Sequence, residues 1–135
     1  MILVTGGTGM LGRDVVASLD AAGIDAQLAD RSKFELTDPQ GVYDYVAGCR
    51  ASVIIHLAAE TNVDLCERDP RRAGLANHLA TAAIATAAQQ TGAYVIYIST
   101  SNVFGAEGRF SYNELDLPAS LSEPAKACGP RRGMR

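Results

Sequence analysis

The 135-residue sequence lacks the features that mark several common classes of protein. Its three cysteines, Cys49, Cys66 and Cys128, are odd in number and have no Cys-x-x-Cys spacing, which argues against a disulfide framework or a zinc site and favours a reducing compartment. A net charge of −3 does not predict a nucleic-acid partner. No apolar stretch approaches the length of a membrane span, and the first predicted strand begins at Met1, which leaves no room for a signal peptide. We therefore expect a cytoplasmic protein without metal, nucleic-acid or membrane partners.

A glycine-spaced loop follows the first apolar run, Met1–Thr5. Its glycines, Gly6, Gly9 and Gly12, are three residues apart, and a helical pattern follows them. The first glycine would allow a tight turn, the second would let the backbone approach a pyrophosphate, and the third would let helix and strand pack closely. The helix N-terminus would offer N–H donors to the phosphates. The loop therefore predicts a nucleotide cofactor, whereas a simple glycine turn without a ligand would leave this spacing unexplained.

An acidic residue ends the second apolar run at the distance expected for a dinucleotide site. The run Ala26–Ala29 is followed by Asp30, about 20 residues beyond the glycine loop, where a carboxylate binds the ribose hydroxyls of NAD. Arg31, the next residue, could instead accept the 2′-phosphate of NADP. Both cofactors therefore remain open at this stage.

Apolar strand patterns alternate with helical patterns up to residue 99. Asp38–Pro39 and Asp69–Pro70 are N-cap and N1 pairs that predict the starts of the second and third helices, and the third extends to Gln90. The β-α-β-α-β-α-β sequence predicts an α/β fold, a Rossmann-like parallel sheet with strand order 3-2-1-4 flanked by helices. From residue 102 onward the alternation fails. We predict an NAD(P)-binding domain over residues 1–118 and a divergent, irregular tail over residues 119–135.

Four segments carry a resemblance to a known family. In chain order they are Thr5–Gly12, Glu35–Asp38, His56–Asp64 and Ile98–Phe104. Together they resemble the extended short-chain dehydrogenase/reductases, and among these the dTDP-4-dehydrorhamnose reductase family. Tyr112–Pro118 is similar to that family's tyrosine-x-glutamate-x-aspartate stretch. The resemblance covers residues 1–118 and implies a nucleotide-sugar reductase that uses NADP or NAD.

The same resemblance assigns roles to individual residues. It implies that the cofactor-binding residues are Gly6, Thr8, Gly9, Met10, Leu11, Gly12, Asp30, Arg31, Leu57, Ala58, Ala59 and Thr61. It implies a catalytic role for Thr100, whose hydroxyl would bind the keto group of a nucleotide sugar. Asn77 would be the helix asparagine near the active site, with a surface position as the alternative. We interpret His56, on an apolar strand, as a structural residue rather than a base.

The sequence departs from the family where its chemistry is concentrated. The family uses a tyrosine and a lysine four residues later, and no Tyr-x-x-x-Lys occurs here. Aligning Lys126 with the family lysine puts Ser122 at the tyrosine position. Ser101–Asn102 also replaces the family's aspartate-tyrosine, and family members are about twice as long. We therefore expect an apparently truncated chain without reductase activity as it stands.

Two functions and one association follow from these patterns. The chain is a member of a reductase family or its cofactor-binding half, or it is a non-catalytic dinucleotide-binding module. The regulatory beta subunit of methionine adenosyltransferase is similar to the same reductase family, which gives the second function its rationale. The apolar strand Tyr94–Ser99 lacks the covering elements expected after it, so we also expect self-association through an exposed sheet edge.

Overall fold

The computed structural model describes residues 1–100, 103–104, 111–113 and 115–116. The strands are β1 (Ile2–Thr5), β2 (Ala26–Ala29), β3 (Val53–His56) and β4 (Tyr94–Tyr97). The helices are α1 (Met10–Ala21), α2 (Pro39–Cys49), α3 (Val63–Arg68), α4 (Pro70–Ala73), a π-helical segment (Gly74–Leu79) and α5 (Ala80–Thr91). The predicted tail, residues 119–135, lies outside the described residues, as do Ser101 and Asn102.

The strands form one parallel sheet in the order β2-β1-β3-β4. Thr5 pairs with Ala29 on one side and with His56 on the other, and Val53 pairs with Tyr94. The parallel sheet with flanking helices confirms the predicted fold class. The predicted strand order 3-2-1-4 is wrong, because β3 pairs with β1 and β4 rather than lying outside β2.

The burial of β3 explains its position. A strand outside β2 would be an edge strand, whereas Ile54 and His56 of β3 are each only 1% exposed. An apolar run of this kind is typical of a central strand of a parallel sheet. The connection from β2 to β3 consists of the turns and coil of residues 30–38 followed by α2. Because β1 lies between β2 and β3 in the sheet, this connection crosses β1.

One hydrophobic core lies between the sheet and the pair α2 and α5. The sheet contributes Leu3 and Ile54, α2 contributes Val42 and Val46, and α5 contributes Ile84, all of them buried. The alanines of α5, among them Ala80, Ala87 and Ala88, are also buried. Small side chains allow close helix packing and favour the helix itself.

Side-chain caps fix the starts of α2 and α4, as the sequence predicts. The Asp38 carboxylate accepts a hydrogen bond of 3.1 Å from the Gly41 amide, and the Asp69 carboxylate accepts one of 2.9 Å from the Arg72 amide. The third predicted helix is not uniform, because its turns widen into the π-helical segment Gly74–Leu79. This segment contains the buried Asn77, and such segments are frequent at functional sites.

Candidate functional site

Three loops leave the sheet at the same edge and enclose a cleft of about 510 Å³. Because β1, β2 and β3 are parallel and in register, the residues after Thr5, Ala29 and His56 emerge side by side. This is the edge where open α/β sheets bind their ligands. Every residue predicted to bind the cofactor lines the cleft: Gly6, Thr8, Gly9, Met10, Leu11, Gly12, Asp30, Arg31, Leu57, Ala58, Ala59 and Thr61.

The glycine loop packs against backbone on both sides. Gly6 has a φ of +72°, and a Cβ on it would lie 2.7 Å from the Ala58 nitrogen. A Cβ on Gly12 would lie 2.2 Å from the Gly6 carbonyl oxygen. Gly9 is the N-cap of α1 and supplies no side-chain hydrogen bond to its first turn. The start of α1 therefore presents backbone N–H groups and a positive dipole end to the cleft, which suits a phosphate.

The acidic residue after β2 is held by the turn that follows it. The Ser32 amide and hydroxyl both donate to Asp30 Oδ1, at 2.8 and 2.6 Å. These hydrogen bonds, together with the nearby Lys33, lower the pKa of Asp30 below its usual value. Asp30 is thus an oriented carboxylate at the edge of the cleft, with Arg31 beside it.

The segment after β3 forms the opposite wall of the cleft and is held by Asn77. The Asn77 Oδ1 accepts from the Glu60 amide at 2.8 Å, and its Nδ2 donates to the Glu60 carbonyl at 3.0 Å. Asn77 is only 4% exposed, so the alternative of a surface position is wrong. Its side chain positions the wall of the cleft.

His56 lies behind this wall and does not line the cleft. Its Nδ1 is 2.7 Å from Thr5 Oγ1, its Nε2 is 3.1 Å from Thr81 Oγ1, and its ring stacks on Tyr97 at 5.6 Å. Burial lowers the pKa of His56 to about 4. A neutral, enclosed imidazole agrees with a structural rather than a basic role.

Some residues fall outside the expected pattern. Thr100 is half-buried after β4, and its carbonyl accepts from the Val103 amide at 3.3 Å, but it is not among the cleft-lining residues. Phe34 and Arg72 line the cleft and were not predicted. No sequence spacing points to either residue, because each reaches the cleft through the folding of a neighbouring turn or helix.

Two negative findings concern the described part of the chain. No helix there combines the length and apolar character needed to cross a membrane. The same residues include no group of three or more histidine, cysteine, aspartate or glutamate side chains that could hold a metal ion.

Comparison with known proteins decides the family. The RmlD substrate binding domain model matches residues 1–128. The chain belongs to this family. This result confirms the predicted resemblance to the extended short-chain dehydrogenase/reductases, most like dTDP-4-dehydrorhamnose reductase.

Three known proteins are similar to this chain over most of its length. The structure of dTDP-4-dehydrorhamnose reductase from Yersinia enterocolitica is 47% identical with a TM-score of 0.90, over 94% of this chain and 44% of that one. The Bacillus anthracis reductase, solved in complex with NADP, is 30% identical with a TM-score of 0.84, over 94% of this chain and 45% of that one. Methionine adenosyltransferase 2 subunit beta from Pongo abelii is 37% identical over 129 residues, which is 90% of this chain and 38% of that protein. The chain thus spans less than half the length of each.

Proposed function

We propose that this RmlD-family chain binds a nicotinamide dinucleotide, NADP or NAD, in the cleft between β1, β2 and β3. The observation that carries the proposal is the convergence of all the predicted cofactor residues on that one cleft. The pyrophosphate would lie at the start of α1, where Gly9 leaves the backbone accessible. The complex of the similar Bacillus anthracis reductase with NADP supports the same ligand class here.

The adenosine end would lie at Asp30 and Arg31. Ser32 already donates twice to Asp30 Oδ1, so Oδ2 would accept from the ribose hydroxyls of NAD. The Arg31 guanidinium would bind the 2′-phosphate of NADP through charge-assisted hydrogen bonds.

Separate titrations of NADH and NADPH, followed by nucleotide fluorescence, test this proposal. We expect Arg31→Ala to lower the affinity for NADPH about tenfold or more and to leave the affinity for NADH nearly unchanged. Asp30→Asn should lower the affinity for NADH more than the affinity for NADPH. Arg50→Ala, on the far end of α2, is the control for loss of one positive charge. Absence of binding of both nucleotides to a demonstrably folded chain would contradict the proposal.

For catalysis, we propose that the chain is related by descent to nucleotide-sugar reductases but does not catalyse the reduction by itself. Thr100 could bind a keto oxygen, yet the sequence has no Tyr-x-x-x-Lys to supply the proton. General acid catalysis typically contributes about 10²- to 10⁴-fold. We therefore expect no useful oxidation of NADPH with dTDP-4-dehydrorhamnose. Turnover of about one per second, a rate typical of slow enzymes, would overturn this expectation, and Thr100→Val would then show whether that hydroxyl takes part.

A second candidate function is that of a non-catalytic dinucleotide-binding module. It is favoured by the absence of a Tyr-x-x-x-Lys from these 135 residues and by the similarity to methionine adenosyltransferase 2 subunit beta. Stable binding to a methionine adenosyltransferase catalytic subunit, strengthened by NADPH, would support this function over the reductase. The cytoplasmic location stays a prediction.

A further inference from the structure

A chain of hydrogen bonds, buried between Thr5 and His56 and partly buried at both ends, joins the wall of the cleft to the helices behind it. The Ala58 nitrogen lies 3.4 Å from Thr5 Oγ1, which lies 2.7 Å from His56 Nδ1. On the other side of the ring, His56 Nε2 lies 3.1 Å from Thr81 Oγ1, and that hydroxyl lies 2.8 Å from the Asn77 carbonyl oxygen. Thr5 and His56 are 0% and 1% exposed, so water does not compete for these groups.

The direction of every bond in this chain follows from its last acceptor. A carbonyl oxygen can only accept, so the single proton of the Thr81 hydroxyl points to Asn77. Thr81 Oγ1 must then accept from His56, which places the ring proton on Nε2. Nδ1 of a neutral ring is consequently bare and accepts from the Thr5 hydroxyl, whose oxygen accepts in turn from the Ala58 amide.

We propose that His56 is a positioning residue of the dinucleotide cleft, which as its neutral Nε2–H tautomer orients Thr5 to hold the Ala58 backbone. The inference rests on the proposed function, because it acts on the ligand through the wall of that cleft. Ala58 is the residue against which the glycine loop packs, since a Cβ on Gly6 would lie 2.7 Å from the Ala58 nitrogen. A displacement of Ala58 would therefore displace the loop.

Asn77 ties two parts of the same wall to one point. Its carbonyl ends the chain of bonds that begins at Ala58, and its side chain binds both backbone groups of Glu60 directly. An apolar residue in place of His56 could fill the same volume, but it would leave the buried hydroxyl of Thr5 and the half-buried hydroxyl of Thr81 without their ring partner. Filling the core alone therefore does not account for a histidine here.

The tautomer can be read in the unaltered chain by NMR of the ring nitrogens. The sequence has two histidines, so a His78→Gln variant identifies the signals of His56. At about pH 7 we expect a protonated Nε2 and a bare Nδ1. An Nδ1–H tautomer or a doubly protonated ring would overturn the inference, and this measurement needs no bound nucleotide.

The effect on the cleft is tested with two threonines of α5. Thr81 and Thr86 each donate to the carbonyl four residues earlier at 2.8 Å, but Thr81 also accepts from His56. We expect Thr81→Val to alter the ring signals of His56 and to lower the affinity for NADPH about tenfold. Thr81→Ser should restore both, and the control Thr86→Val should change neither.

The possible results separate this inference from the proposed function. If the unaltered folded chain binds neither NADPH nor NADH, the proposed function fails and the positioning role fails with it, whatever the tautomer. If the chain binds NADPH but Thr81→Val binds as tightly as Thr86→Val, only the positioning role of His56 is overturned. Should Thr81→Val not fold, addition of NADPH to the unaltered chain decides, because binding should shift the Ala58 amide and His56 ring signals together, and an unmoved ring would contradict the inference.

Discussion

Replacement of Gly12 by alanine should both destabilise the chain and damage the cleft. A Cβ at this position would lie 2.2 Å from the Gly6 carbonyl oxygen and 2.7 Å from Gly7 Cα, whereas real contacts stay beyond 3.0 Å. The loop and α1 would have to separate by about 0.8 Å, the difference between 3.0 and 2.2 Å. Because the opposing atoms belong to the backbone, no side chain can turn aside to relieve the contact.

The size of the effect follows from two opposing contributions. Overpacking costs about 1–3 kcal/mol, and rigid backbone neighbours place this site near the upper end. Alanine gains about 1 kcal/mol of helix propensity over glycine. The net loss of about 2 kcal/mol corresponds to a fall in Tm of roughly 8 °C for a chain of this length.

Thermal unfolding followed by circular dichroism measures the stability change, and NADPH titration measures the change in affinity. Gly48→Ala is the matched control, because Gly48 is an exposed glycine within α2 and a Cβ on it would meet nothing within 4 Å. The control should gain up to about 1 kcal/mol and keep its affinity for NADPH. A Gly12→Ala chain that melts at or above the unaltered chain and binds NADPH equally well would refute the argument.

Further predictions concern pH, the cleft wall and the exposed strand. Because burial lowers the pKa of His56 from 6.5 to about 4, the unfolded chain binds the extra proton between those values. The free energy of unfolding is therefore highest above about pH 6.5, and about 3 kcal/mol of it is lost as the pH falls towards 4. Urea unfolding should show a shallower pH dependence for His56→Gln than for the unaltered chain, and equal slopes would contradict this prediction. Asn77→Ala removes the side-chain partner of the Glu60 amide and carbonyl and should lower the free energy of unfolding by about 2–3 kcal/mol. A loss below about 0.5 kcal/mol, as for an ordinary surface substitution, would contradict the role of Asn77 in holding Glu60. Ile96 of β4 is 49% exposed, so light scattering should detect self-association that Ile96→Lys reduces; a concentration-independent monomer would rule it out.

The four strands, the helix starts at Asp38 and Asp69, and the glycine loop of the cleft could be predicted from the sequence, because they depend on local chemistry. The helix α3 and the π-helical segment were not predicted. The glycine spacing is readable since a Cβ at Gly6 or Gly12 would meet backbone. Asp38 and Asp69 begin helices through hydrogen bonds to amides only three residues away. Such contacts are specified within a few residues and survive in any arrangement of the elements.

Contacts between distant residues were decided only by the tertiary structure. The order of the strands depends on whether β3 pairs with β1 or with the outer edge of β2, and strands far apart in the sequence make that choice through their packing. Arg72 enters the cleft because α4 lies beside it. The role of His56 depends on hydroxyls 51 and 25 residues away, Thr5 and Thr81. The sequence by itself determined that a glycine-spaced loop and a parallel sheet would form. The packing of β3 and of the helices behind it decided which side chains hold that loop in place.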